Sequence, residues 1–229
     1  VPPIDDLLNE IFDGQNPALY AEFEAWVRGS RRFKAFATSY RTKIRAKLKN
    51  ASGDDGLKNL RAELETAELL LRDERFTLEY ETYAAQKTRG PDFTVTFKTH
   101  TRFNVEVRRL RSFEQDENTE AQIGKLVAVL CDKVGQMPPS IINVLWLVSE
   151  GKISDADLTR AAAALRQHAE SKDDAFFTRR GFQSAVDFLK QYRQLSGIVV
   201  WQAGESVLWS NALARHKIPP DIITAIQRL

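Results

Sequence analysis

The chain has 229 residues, 43% hydrophobic and 28% charged, and its 33 Lys and Arg against 31 Asp and Glu leave a formal net charge of +2. That is the composition of a globular protein with one good core, and the single cysteine, Cys131, excludes an intrachain disulfide and makes a reduced, cytoplasmic setting the default. No apolar run approaches the ~20 residues that cross a bilayer, and the start Val1-Pro2-Pro3-Ile4-Asp5-Asp6 is not a signal sequence, so membrane and secretory readings are set aside.

Charge is distributed unevenly. Residues 1–27 carry Asp5, Asp6, Glu10, Asp13, Glu22 and Glu24 with no Lys or Arg. Residues 28–49 invert this, with Arg28, Arg31, Arg32, Lys34, Arg41, Lys43, Arg45, Lys47 and Lys49 and no acid. Such a block is a candidate footprint for a phosphate backbone; equally, the acidic and basic helices can pack together and neutralise one another. In the basic stretch Phe33, Phe36, Ala37, Tyr40, Ile44 and Leu48 recur at helical spacing, which predicts an amphipathic helix docked on the body.

After the loop 51–55, Leu60, Leu64, Ala67 and Leu71 on one face predict a helix over 57–73. The alternating, aromatic-rich run 76–83 predicts a strand, broken by Arg89-Gly90-Pro91. Two further alternating runs, 92–97 and 102–108, are joined by Lys98-Thr99-His100-Thr101 as a hairpin. Thr119 to Gln122 opens a helix in capping-box form, with Ile123, Leu126, Val127, Leu130 and Val134 as its buried stripe. The nearly continuous apolar run 141–148 predicts a strand covered on both faces. A helix over 155–169 capped by Ser154, a second within 182–195, short strands at 197–201 and 206–209, and a closing helix at 221–229 complete the chain. The organisation is a helical segment 1–54, an α/β core 55–150, and an α/β extension 151–229 packed on that core.

Alternation within the hairpin assigns the chemistry. Phe93, Val95 and Phe97 on one strand and Phe103, Val105 and Val107 on the other share the buried face. The opposite face then carries Asp92, Asn104, Glu106 and Arg108, so that two carboxylates and a cation converge near one end, provided the hairpin loop has an odd length. Two acids beside apolar neighbours are costly without a compensating cation, and a hydrated Mg²⁺ held by carboxylates is one such cation. The alternative is an ordinary surface salt bridge between Glu106 and Arg108 or Arg102.

Pro91-Asp92, then thirteen residues, then Glu106-Val107-Arg108, within a helix–strand–strand–strand–helix–strand order, resembles the PD-(D/E)XK nuclease superfamily, the restriction-endonuclease-like fold. The resemblance covers about 55–150. It implies a mixed central sheet and Mg²⁺-dependent (or Mn²⁺-dependent) hydrolysis of DNA phosphodiesters, with Asp92 and Glu106 as metal ligands. The family lysine is replaced by Arg108, which keeps a positive charge for stabilising phosphate but has too high a pKa to accept a proton. The family often adds an acid from the first helix; Glu63 and Glu68 flank its buried face with Glu65 mostly in solvent, and Glu63 is favoured. A polar residue early in the second helix is also common, a place filled by Gln122, which as the third residue after Thr119 equally fits a capping role. Lys125 and Lys133 follow, and Lys133, on the same side of the stripe as Gln122, is the better candidate to replace the missing lysine.

The resemblance also makes homodimers common, although no dimer surface is legible. The basic segment 31–49 would hold DNA backbone without reading bases. A catalytically degenerate nucleic-acid binder and a protein-interaction module on the same fold are the rival classes. His100, His168 and His216 lie too far apart for a zinc motif, the glycines form no phosphate-binding loop, and no nucleophile elbow is present. Trp26, Trp146, Trp201 and Trp209 are read as core, and Phe176 to Phe182, mixing aromatic and basic residues, as either a helix junction or a nucleic-acid contact.

Overall fold

Strand alternation and two helical layers organise the chain, whose computed structural model describes residues 2–15, 17–83, 90–111 and 119–229, the side chain of Thr119 excepted. Three helices, α1 (Ile4–Phe12), α2 (Leu19–Gly29) and α3 (Arg31–Asn50), lead into α4 (Gly53–Arg72). Then follow β1 (Phe76–Tyr80), β2 (Phe93–Phe97), β3 (Thr101–Leu110), α5 (Thr119–Val134) and β4 (Ile142–Ser149). The remainder is α6 (Asp155–Glu170), α7 (Asp174–Thr178), α8 (Ala185–Tyr192), β5 (Gly197–Gln202), β6 (Glu205–Ser210) and α9 (Pro220–Ile226).

The six strands form one mixed open sheet in the order β1-β2-β3-β4-β5-β6. Pairing is antiparallel from β1 to β3, parallel from β3 through β4 to β5, and antiparallel again at β6. Strand β4 shows why its sequence reads as unbroken apolar. Val144, Trp146 and Val148 enter a core shared with α1 to α4 and α9, while Leu145 and Leu147 enter a second core with α5, α6 and α8. Leu7, Ile11, Phe23 and Phe33 of the first segment lie in the same core as the strands. The 151–229 segment continues the sheet through β5 rather than merely packing on it.

Most element positions agree with the sequence expectations, and the departures have local causes. The first strand stops at Tyr80 rather than at 83 because Glu81 turns to φ 50°, leaving the sheet. Helix α4 starts at Gly53, inside the expected loop, where Asp54 and Asp55 complement the positive helix end. The Phe176 to Phe182 segment begins inside α7, whose five residues are too few to display a period. There Phe177 and Phe182 are buried, and Phe176 stacks on His168, 3.7 Å between ring centroids, with Arg180 over its face; the segment is a helix junction. Trp146 and Trp201 are buried, and Trp26 and Trp209 pack against the cores. No helix among the described residues is long and apolar enough to cross a membrane. Arg89, assigned to the break before Pro91, and the Thr119 side-chain cap lie outside the described residues.

The basic helix is largely occupied within the molecule. Arg41 pairs with Glu10, Arg45 and Lys49 with Asp13, and Arg28 with Asp5 and Glu24, so acids of the first segment, in and just after α1 and in α2, neutralise part of the basic block. Arg32 donates to the carbonyls of Leu71 at 2.7 Å, Asp73 at 2.6 Å and Phe76, closing the C-terminus of α4 and tying it to β1. Lys43 donates to the Tyr80 carbonyl.

These two kinds of cation differ in worth. Arg32→Met leaves partly buried carbonyls without a donor and is expected to lower stability by about 2 kcal/mol. Arg45→Ala removes an exposed pair and is expected to change it by under about 1 kcal/mol. Urea midpoints at unchanged denaturant slope measure both; equal losses would show that Arg32 is no more than another surface charge.

Candidate functional site

The site lies in a notch in the sheet. Strand β2 pairs with β3 from Phe93 opposite Val105 to Phe97 opposite Thr101, so the loop has three residues, the odd number that the parity requires. Strand β1 likewise ends with Tyr80 opposite Phe93, whereas β3 runs on to Leu110. Beyond Val105, β3 therefore has no β2 partner on that side among the described residues. Asp92, one step outside the last pair, faces Glu106, and its Oδ2 accepts a 2.8 Å hydrogen bond from the Val107 N–H that the missing strand would have satisfied.

Because the sheet is open there, helices from both faces reach the notch. From α4, Glu63 accepts hydrogen bonds from the Tyr80 hydroxyl at 2.6 Å and from the Lys47 ammonium at 2.5 Å. Lys47, from α3, also stands 2.8 Å from Glu81 and 3.9 Å from Asp92, and lies over the Tyr80 ring at 4.8 Å from its centroid. From the other face, Lys133 of α5 donates to Glu106 at 2.7 Å, both side chains being nearly buried at 12% and 10% exposure. The Asp92 side chain retains 17% exposure, so the group opens to solvent. Deeper on the Glu106 face, Thr94, Asn104 and Asn143 form a hydrogen-bonded row across β2, β3 and β4 that holds the strands in register.

The electrostatics follow from this crowding. Burial, then the charges of Glu63 and Glu106, push the Asp92 carboxyl well above the ordinary range, against Lys47 and the Val107 N–H. Burial also raises Glu106, although Lys133 opposes it. Burial works to lower Lys47, yet the charges of Glu63 and Asp92 prevail and hold its ammonium above its usual pKa. Burial, followed by the Glu63 charge, keeps the Tyr80 phenol protonated. Four carboxylates, Glu63, Glu81, Asp92 and Glu106, against two ammonium groups leave a formal charge of −2 at the notch.

That excess charge and the hard oxygen donors fit Mg²⁺ or Mn²⁺ better than a soft metal. Among the described residues no three carboxylate, histidine or cysteine side chains stand together as a ready-made metal cage. The Lys47 ammonium lies between the acids instead.

The structure thus brings Asp92, Glu106, Glu63 and Lys133 together. Arg108 departs from expectation: it is exposed, and no hydrogen bond or ion pair joins it to the cluster among the described residues. Two lysines from helices, not the strand arginine, are the cations that meet the acids. Gln122 also stays outside, donating to the Lys152 carbonyl at 2.9 Å and so tying α5 to the segment after β4. Glu65 is less exposed than expected, because Trp201 on β5 reaches it and donates at 3.1 Å; the extended sheet widens the covered face of α4. Glu68 pairs with Arg72 away from the notch. Lys47, Glu81 and Tyr80 were not singled out from the sequence. The one available signal was that Lys47 follows Ile44 by three positions and so flanks the buried stripe of α3.

Comparison with family models, with curated proteins and with solved structures finds no match to this chain.

An acid whose pKa is raised by folding destabilises the fold once it ionises; stability is present below the raised value and falls as pH climbs through it. Asp92→Asn keeps the acceptor for Val107 and removes the charge. In metal-free buffer at neutral pH the variant is expected to gain about 1 kcal/mol, which for a chain of this size raises Tm by about 2–4 °C. A thermal melt in chelator that shows a lower Tm for the variant would mean that Asp92 is not in surplus.

Proposed function

We propose that the protein is a metal-dependent phosphodiesterase, endonuclease-like, that acts on DNA on a restriction-endonuclease-like core. The observation that carries this reading is the meeting of Asp92, Glu106 and Glu63 in one notch with Lys133 on Glu106. The order α4, β1, β2, β3, α5, β4 within a mixed sheet supports it, being the helix–strand–strand–strand–helix–strand order on which the resemblance rests.

In this reading Asp92, Glu106 and Glu63 hold Mg²⁺ or Mn²⁺. A bound divalent ion would supply a polarised phosphoryl oxygen and a water of lowered pKa. Glu106 on β3 and Asp92, just before β2, face each other across the open edge and would hold the ion from both sides. Lys133 brings to the Glu106 side the positive charge that the strand lysine would have supplied, and it stabilises charge developing on phosphorus-bound oxygen. The Val107 N–H fixes Asp92, so that its second oxygen points into the notch. Arg108, two residues beyond Glu106 on the same strand face and exposed, is assigned a contact to substrate phosphate rather than proton transfer. The basic segment 31–49 has a reduced share in DNA binding, since Arg41, Arg45 and Lys49 are already paired with α1.

The specific observation favouring a second reading is that same exposed Arg108 in the lysine position. It points to a nucleic-acid-binding module whose catalysis has degenerated.

Cleavage of linear, nicked and branched DNA with Mg²⁺ or Mn²⁺ separates the two. Cutting is expected in the wild type and its loss in Asp92→Ala and Glu106→Ala, while Lys133→Ala is expected to lose about 10²–10³-fold in rate, the usual scale for one preorganised charge or donor. Full cleavage by Lys133→Ala would remove its assigned role. No cutting with DNA retained would establish the binding module, and no retention at any salt between roughly 50 and 200 mM would point to a protein partner.

A further inference from the structure

The two lysines at the notch are not equivalent. Lys133 serves one acid of the cluster, Glu106, with Asp132 of its own helix at 4.0 Å. Lys47 approaches three acids from three separate stretches of chain, Glu63 of α4 at 2.5 Å, Glu81 just after β1 at 2.8 Å and Asp92 just before β2 at 3.9 Å. An ammonium is a compact charge with three donors on a flexible stem, and here it lies among three carboxylates, two of which, Glu63 and Asp92, belong to the proposed metal-holding set.

We propose that the Lys47 ammonium is the resident cation of the carboxylate cluster and that a divalent ion enters by exchange with it. The inference rests on the metal-dependent reading and concerns how that metal is admitted. Glu63 and Asp92 are the shared groups. An oxygen ligated to Mg²⁺ at roughly 2.1 Å leaves the ion within a few ångströms of an ammonium bonded to the same carboxylate, and the two positive charges repel strongly in a partly buried site. Both cannot keep their best positions, so one displaces the other.

The surroundings of Lys47 allow the side chain to leave without the helix. Beyond the kink at Tyr40, where φ is −111° and ψ 15°, this half of α3 is held to α1 by Arg41 on Glu10 and by Arg45 and Lys49 on Asp13. The Lys47 side chain keeps 25% exposure, so its stem has a route to solvent by rotation about its own bonds. Without any cation, three acids would face one another around the vacated position. Lys47 therefore has opposite effects on the two states: it supports the metal-free fold and competes with the metal.

Those opposite effects give the test, read by Mn²⁺ titration calorimetry and thermal melts on the full chain, independent of DNA cleavage. Lys47→Met is expected to bind Mn²⁺ at least tenfold more tightly than the wild type, to melt lower in chelator, and to recover the difference at saturating Mn²⁺. Lys47→Arg, which keeps the charge in a larger fork, is expected to bind Mn²⁺ several-fold more weakly. Equal or weaker Mn²⁺ binding by Lys47→Met would overturn the exchange while leaving the metal-dependent reading intact. Should Lys47→Met not fold without metal, the comparison of Lys47→Arg with wild type decides, equal affinities overturning the exchange. If the wild type shows no Mn²⁺ binding that Asp92→Ala and Glu106→Ala remove, the metal-dependent reading fails, and the exchange with it.

Discussion

The early end of β1 and β2 against the longer β3 is the constraint on which the site depends. Tyr80 and Phe93 are the last paired residues of their strands on that side, while β3 continues to Leu110. An uncovered stretch of central strand is a liability, because its N–H groups lack ladder partners. Asp92 satisfies one of them at Val107. A carboxylate used in this way is pinned by its backbone contact, and it is pinned directly opposite Glu106. The opening that creates the unsatisfied backbone group therefore also gathers the acids.

The same opening explains why groups from both faces of the sheet meet. Through most of its area the sheet separates two cores, one with α1 to α4 and α9 and the other with α5, α6 and α8. At the notch that separation fails, and Glu63 and Lys47 from one side come within electrostatic reach of Glu106 and Lys133 from the other. Such a concentration of like charge opposes folding locally. It persists because each participant is fixed elsewhere: α4 by its apolar face, α3 by its pairs with α1, and β3 by the parallel ladder to β4. Crowding of like charge that the surrounding packing holds in place is the physical ground on which the notch is proposed as the site.

Much of this was legible in the sequence wherever a periodic signal exists. The hairpin parity placed Asp92 and Glu106 on one face near the same end, the stripe of α4 put Glu63 on its flank, and the stripe of α5 put Lys133 on the same flank as Gln122. The polar end of each argument was weaker. Gln122 shares a flank with Lys133 but lies nearly three turns away along α5, near Lys152, and the helical period alone carries no information about which turn of α5 reaches the notch. Glu65 was misjudged because the width of the sheet above α4 is set by β5, more than a hundred residues later. Lys47 was hidden in a run of like charges: the pattern identified a docked helix, yet which of its cations meet acids is decided by tertiary contacts that no local period encodes. The same holds for Arg41, Arg45 and Lys49, whose pairing with α1 followed the neutralising alternative.

Arg108 gives this argument its last step. A motif that spaces an acid and a cation two residues apart on one strand describes the shortest way to bring both to the same face. It does not describe the only way, because the notch is bordered by helices on each side. Lys133 reaches Glu106 from α5 at 2.7 Å, leaving the strand position two residues on free to carry an exposed arginine. In the proposed reading positive charge is needed at the acid that faces Asp92, and the topology here lets a helix provide it. A side chain on the strand is then released to face solvent. The departure from the motif and the ion pair across the notch are two consequences of one geometry.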